Sequence, residues 1–227
     1  MKVTEAVRQR VSTRAFLDVP IPRDQLADLL ETAQRAPSGG NLQPWKLIAV
    51  TGAVKDEIIA MAHRTLGANP GGAAMGDRPV YPDLNAVDPI YNRRRKSVGE
   101  MMYAKLGMPR EDHAGRMGWF ANNYRFFGAP VGLFLVIDRR MGHGQWAHMG
   151  MYMQTIALLA HERGWGTCMQ EAWALLRDQL HDYFGLDEHH MIFAGISLGA
   201  PDPDATVNHL YTERAPQSEV VEFRGFD

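Results

Sequence analysis

The chain has 227 residues, 45% of them hydrophobic and 22% charged, which is enough for one sizeable core and points to a single domain over 1–227. Its formal net charge of −2, with basic and acidic residues interspersed, gives no global pull toward a polyanion, so nucleic acid is a poor first reading. The longest apolar run, VGLFLVI at 131–137, is far too short for a bilayer and the N-terminus has no apolar signal core; a cytoplasmic protein without membrane contact is expected.

In chain order, helical spacing covers 3–10 and 24–35, the second with Leu26, Leu29, Leu30 and Ala33 on one face and Pro22 just ahead. KLIAV at 46–50 reads as a buried strand. Residues 70–96 hold several Pro and Gly without a clean period and read as a long loop or lid, followed by a polar-patterned helix pair up to Phe127. VGLFLVI and MIFAGISLG (191–199) read as further strands, and their continuous apolar character predicts a sheet covered on both faces. Between them, 146–163 is apolar almost all round and ends at Gly164, as expected of a helix in a core or an oligomer interface with a glycine cap. The Pro- and Asp-rich stretch 200–208 is an excursion, and SEVVEF at 218–223 reads as a last strand with nothing of its own to pair with.

Two constellations could carry chemistry. Arg10, Ser12 and Arg14 alternate, so an extended backbone puts all three on one side. Two guanidinium forks and a hydroxyl suit a phosphate monoester; solvated surface arginines are the plain alternative. In RAPSGGNLQPW (35–45), Asn41 and Gln43 each present a donor and an acceptor on a planar amide, a match for the edge of a uracil-like ring. Gly39 and Gly40 permit close backbone approach, although an ordinary helix-to-strand loop would read the same way. Together the two stretches ask for a ligand with a phosphate at one end and a pyrimidine-like ring at the other.

Other features point elsewhere with less force. Cys168, the single cysteine, excludes an intramolecular disulfide and has no histidine placed by sequence to activate it, so it reads as core filling, as do Met149, Met151 and Met153. The adjacent histidines of DEHH (187–190) point different ways, which argues against a metal. GHGQWA (142–147) has dinucleotide-loop spacing but the wrong context. The RRRK run at 93–96 is a solvated face or an attractor for a nicotinamide cofactor's phosphate.

Five stretches in order, RQRVSTRAF, RAPSGGNLQPW, FFGAPVGLFLVID, LLAHERGWGTCMQEAW and ISLGAPDP…ERAPQSEVVEF, resemble the nitroreductase family of FMN-dependent oxidoreductases, in particular its bacterial nitroarene and nitrobenzoate reductases. The resemblance implies an α+β fold, a mostly antiparallel sheet covered by helices, in an intertwined homodimer that exchanges its C-terminal strand. It implies that Arg10, Ser12, Arg14 and Arg214 hold the FMN phosphate and ribityl chain. Pro37, Ser38, Gly39, Asn41 and Gln43 would reach the flavin across the dimer interface. Met169, Gln170, Glu171 and Ala172 would lie beside the isoalloxazine, with the Glu171 N–H facing N5 as the catalytic donor. Gly39, Thr212 and Ala172 depart from residues common in the family. The implied activity is ping-pong hydride transfer from NAD(P)H through flavin N5 to nitroaromatic compounds. A quinone, enone or flavin reductase and a non-catalytic flavin-binding module are the alternatives. Substrate contacts would come from a variable segment at about 70–127, from Tyr81, Tyr91, Met101, Met102, Trp119, Phe120, Tyr124, Phe126 and Phe127.

Overall fold

The computed structural model describes residues 1–69 and 83–226, so Tyr81 lies outside the described residues. The elements are α1 (Val3–Gln9), α2 (Arg23–Ala33), β1 (Trp45–Val50), α3 (Gly52–Ala68), α4 (Pro89–Lys105) and α5 (His113–Ala121). There follow β2 (Val131–Asp138), α6 (His143–Glu162), β3 (Gly166–Gln170), α7 (Arg177–Phe184), β4 (His190–Gly199) and α8 (Gln217–Val220). All strand pairs are antiparallel, in the order β1-β2-β4-β3, which leaves β3 at one edge.

The alternation of side chains along β2 explains its unbroken apolar run. Leu133, Leu135 and Ile137 face one core with α2 and α6, while Phe134 and Val136 face a second with Ile58 of α3, Leu180 of α7, Tyr124 and Trp173. Both faces of the sheet are therefore covered, as expected. Gly195 of β4 is a requirement of the second core: a Cβ there would collide with the indole of Trp173, which stacks on Phe126 with ring centroids 4.7 Å apart.

Helix α6 buries Met149, Tyr152, Met153, Ile156, Ala157 and Ala160, and Gly164 follows it with a φ of 76°, the left-handed cap anticipated. Met151 does not share that burial; it is exposed on the outer face. Two expectations are corrected. Residues 89–96 are helical rather than loop, because Pro89 occupies the first turn of α4 and the Asp88 carboxylate accepts from the Ile90 N–H at 2.8 Å. Helix α3 occupies a stretch that no expectation covers. In SEVVEF the first residues belong to the short helix α8; extended backbone begins at Val221 and has no ladder partner among the described residues of one chain. Among the described residues no helix is long and apolar enough to cross a membrane.

Candidate active site

Helix α1 ends at Gln9, and the chain then runs extended along the open edge of β3. Ser12 bridges Thr167 in parallel and the Thr13 N–H donates to the Thr167 carbonyl at 2.9 Å. Asn208 fastens the next residues: its Oδ1 accepts from the N–H groups of Arg14 and Ala15 at 2.8 and 3.2 Å, and its Nδ2 donates to the carbonyls of Ala15 and Asp202. The predicted alternation is thus realised. Arg10, Ser12, Arg14 and Arg214 line one cavity of about 410 Å³, together with Tyr211 and Thr212.

The cavity's electrostatics favour an anion. Burial, and secondly the charge of Arg214, hold the pKa of Arg10 below its ordinary value. The Nε of Arg10 is buried and has no hydrogen-bond partner. Arg14 donates to the Ser12 carbonyl at 3.3 Å, and Arg214 to the carbonyls of Thr212 and Glu213 at 2.9 and 3.0 Å. No carboxylate among the described residues forms an ion pair with any of the three arginines. Three guanidiniums held together without an acid between them fit a dianionic phosphate and the removal of their mutual repulsion on binding. Cys168 is buried alongside; burial raises its thiol pKa, while Arg14 and Arg10 pull the other way. It is core filling, as expected.

The amide loop lies elsewhere. Gly40, Asn41 and Gln43 have φ of 60°, 55° and 49°, so the permissive residues occupy left-handed backbone. The loop is tied by Gln43 N–H to Ser38 Oγ at 2.9 Å, by Gln43 Nε2 to the Asn41 carbonyl at 3.2 Å, and by Gly39 N–H to His148 Nε2 at 3.2 Å. Pro37, Asn41 and Gln43 are exposed. The tether at His148 belongs to the first half of α6, whereas Arg10 shares a second cavity with His161, Gly164 and Trp165 at the helix's far end. The rise per residue puts about 20 Å between these two places. One chain therefore brings the four phosphate candidates together but does not bring the amides to them.

Along β3, Met169 is 37% exposed while Gln170 is 1% exposed. Gln170 Nε2 donates to the Asn123 carbonyl at 2.6 Å, and its Oε1 accepts from Ser197 Oγ at 2.7 Å and Trp173 Nε1 at 3.4 Å. Its side chain is spent inside the second core, which leaves only its backbone for a ligand. Glu171 is exposed and opens the 3-10 turn Glu171–Leu176, where a first-turn N–H has no acceptor within the helix. The Ala172 carbonyl accepts from the Tyr124 hydroxyl at 3.2 Å.

That contact revises the aromatic candidates. Tyr124 is 1% exposed and its phenol is pushed up to about 12 by burial; Phe126 and Phe127 are also buried. They pack beneath the turn: φ of 51° and 53° at Phe126 and Phe127 breaks the helical path and both rings end in the interior. Phe120, 46% exposed, meets Tyr124 edge-on at 6.3 Å, Trp119 is half-buried against Phe127, and Tyr91 is 54% exposed. Met101 lines a separate cavity between α4 and the C-terminal segment, where Arg94 pairs with Glu219 at 2.8 Å. Asn208, Ser197, Asn123 and His148 shape the site without any signal in the sequence spacing.

A helix-covered antiparallel sheet with an arginine-lined cavity beside its edge strand defines an α+β protein whose site has the charge to receive an anion. The nitroreductase family model matches residues 7–200, and the chain belongs to that family. It is 34% identical over 224 residues to a 4-nitrobenzoate reductase of Pseudomonas putida, covering 97% of this chain and 95% of the relative. It is 32% identical over 223 residues to a chloronitrobenzene nitroreductase of Comamonas testosteroni, covering 97% and 96%. The crystal structure of the FMN and NADPH-dependent nitroreductase NfnB from Sphigopyxis sp. strain HMH superposes with a TM-score of 0.93 at 41% identity, over 100% of both chains. The FMN-dependent NfnB of Mycobacterium smegmatis, solved in complex with NADPH, gives a TM-score of 0.88 at 28% identity, over 97% of each chain.

Proposed function

We propose that this protein is an FMN-dependent oxidoreductase that reduces nitroaromatic compounds with electrons from NAD(P)H, acting in the cytoplasm as a homodimer with shared active sites. The observation that carries the reading is the cavity of Arg10, Ser12, Arg14 and Arg214, with its buried, unpartnered Nε. These residues fit the FMN phosphate: guanidinium forks take its oxygens and the Ser12 hydroxyl supplies a further donor. When bound, FMN supplies the two-electron relay between a nicotinamide and a nitro group. The FMN and NADPH dependence of the structural relatives supports this assignment.

The protein's own contribution is position and field. The Tyr124 bond to the Ala172 carbonyl fixes the turn from which the Glu171 N–H would donate to the flavin ring. The backbone of Met169, Gln170 and Ala172 would hold the ring's neighbouring face. Pro37, Ser38, Gly39, Asn41 and Gln43 would come from the second copy, because their own chain ties that loop to His148, about 20 Å along α6 from the end that lies beside Arg10. The exposed tail residues Val220, Val221, Phe223 and Phe226 give the second copy an apolar segment to receive. Exposed Phe120 and Tyr91 offer flat surfaces to a nitroarene, with Trp119 alongside; Tyr124 and Phe127 act from beneath.

The purified protein is expected to be yellow, to bleach anaerobically with NADH or NADPH, and to recolour on addition of a nitroarene. A protein that takes up no FMN contradicts the reading. Bleaching with no reoxidation by any acceptor indicates a binding module, and reoxidation by quinones alone indicates the other reductase class.

A further inference from the structure

We propose that His148 is a positioning residue for the flavin-facing loop, which it holds in register through a neutral imidazole. The geometry defines both ring nitrogens. Nε2 lies 3.2 Å from the Gly39 nitrogen, whose N–H is a donor, so Nε2 must accept and carry no proton. Nδ1 lies 2.9 Å from Gln145 Oε1, one turn earlier on α6, and therefore donates there. Gln145 thus selects the tautomer and His148 uses it. An imidazolium would carry protons on both nitrogens and turn an accepting atom toward the Gly39 N–H into a donor.

The loop has few other anchors. Its remaining side-chain bonds, Ser38 Oγ with Gln43 N–H and Gln43 Nε2 with the Asn41 carbonyl, lie within the loop itself. The bond to His148 is the link that places this unit on the helix. Residue 39 and His148 are also coupled sterically: a Cβ at Gly39 would stand 3.0 Å from His148 Cε1, so the imidazole occupies the room a side chain there would need. The charged groups on the helices packed against α6 are Arg23, Asp24, Asp28 and Glu31 of α2 and Glu5 and Arg8 of α1; on α6 itself His143, His161 and Glu162 complete the set. Asp28 is paired with Arg163, and none of these groups bonds to His148.

This inference rests on the reading that Ser38–Gln43 touches FMN. The test is FMN titration of the flavin-free protein, followed by flavin fluorescence, for wild type, His148→Ala and His148→Gln at pH 8. Glutamine can place its Oε1 where Nε2 stands, and it does not titrate. At pH 8, H148A is expected to bind FMN roughly tenfold more weakly and H148Q to retain most of the affinity. Wild-type affinity in H148A, or H148Q binding no more tightly than H148A, overturns the proposal and leaves the flavin assignment standing. Absence of FMN binding by the wild type overturns both. Gln145→Ala, which leaves Nδ1 without its acceptor and frees the tautomer, is expected to weaken FMN binding as well; wild-type affinity there refutes the role, also where the His148 variants do not fold.

Discussion

Arg10→Ala is expected to bind FMN about 30- to 100-fold more weakly than the wild type. Each hydrogen bond between a guanidinium and a charged oxygen contributes roughly 1.5–3 kcal/mol, and about 1.4 kcal/mol corresponds to tenfold in affinity. Arg10 belongs at the upper end because its Nε is already buried and unpartnered, so little solvation remains to be lost on binding. The sign of the effect on the empty protein distinguishes this account from simple damage. Burial and the neighbouring Arg214 both disfavour the charge on Arg10, so its removal should leave the FMN-free protein at least as resistant to unfolding while weakening the loaded one. Arg10→Lys should restore only part of the affinity, since a point charge cannot reproduce the planar fork. Isothermal titration with FMN, paired with thermal unfolding in its absence and presence, reads both quantities. Undiminished affinity in R10A would remove the phosphate assignment.

Gln170→Ala is expected to destabilise the fold by about 4 kcal/mol in urea denaturation. The substitution leaves the Ser197 hydroxyl, the Trp173 indole N–H and the Asn123 carbonyl without their partner. A buried polar group left unmatched costs roughly 1–3 kcal/mol, and the added cavity costs more. Part of this is recovered if water enters, which is why the expected sum falls below three full penalties. Gln170→Glu should also destabilise, because a carboxylate cannot donate to the Asn123 carbonyl. A loss under about 1 kcal/mol would show that the network does not hold β3 to the second core.

Local patterns in the sequence read well where a single element carries the signal. The β2 and β4 runs, the apolar α6 and the alternation of Arg10, Ser12 and Arg14 each follow from spacing alone, and the structure realises all of them. The first turns of helix α4 were hidden because no residue of it is buried, so it has no apolar stripe to announce a period; their signal is the Asp88–Pro89 start. Helix α3 buries only Ile58 and Ala62, a stripe too thin to separate from loop. Strand β3, Gly-Thr-Cys-Met-Gln, lacks an apolar run altogether and exists because the Ser12–Thr13 segment and β4 pair on either side of it.

The site was legible in its polar residues and illegible in their supports. Asn208 clamps Arg14 from 194 positions away, and Gln170 meets Ser197 across 27, contacts that no local spacing encodes. Tyr124 and Phe127 show the opposite case. Aromatic residues in a stretch without a period look available to a substrate, yet left-handed backbone at Phe126 and Phe127 delivers that cluster to the core. What remains for a ligand is the exposed Phe120 above it and the Glu171 turn that Tyr124 steadies.

The most direct test of the shared site is complementation between two inactive copies. Arg10→Ala and the double variant Asn41→Ala/Gln43→Ala, each nearly inactive as a pure preparation, are co-expressed and the mixed dimers assayed for nitroarene reduction. In a mixed dimer one site collects both defects and the other collects neither, so random pairing should return roughly a quarter of wild-type activity. Activity no greater than the sum of the two pure variants would contradict the account, since it would mean that each chain builds its site from its own arginines and amides.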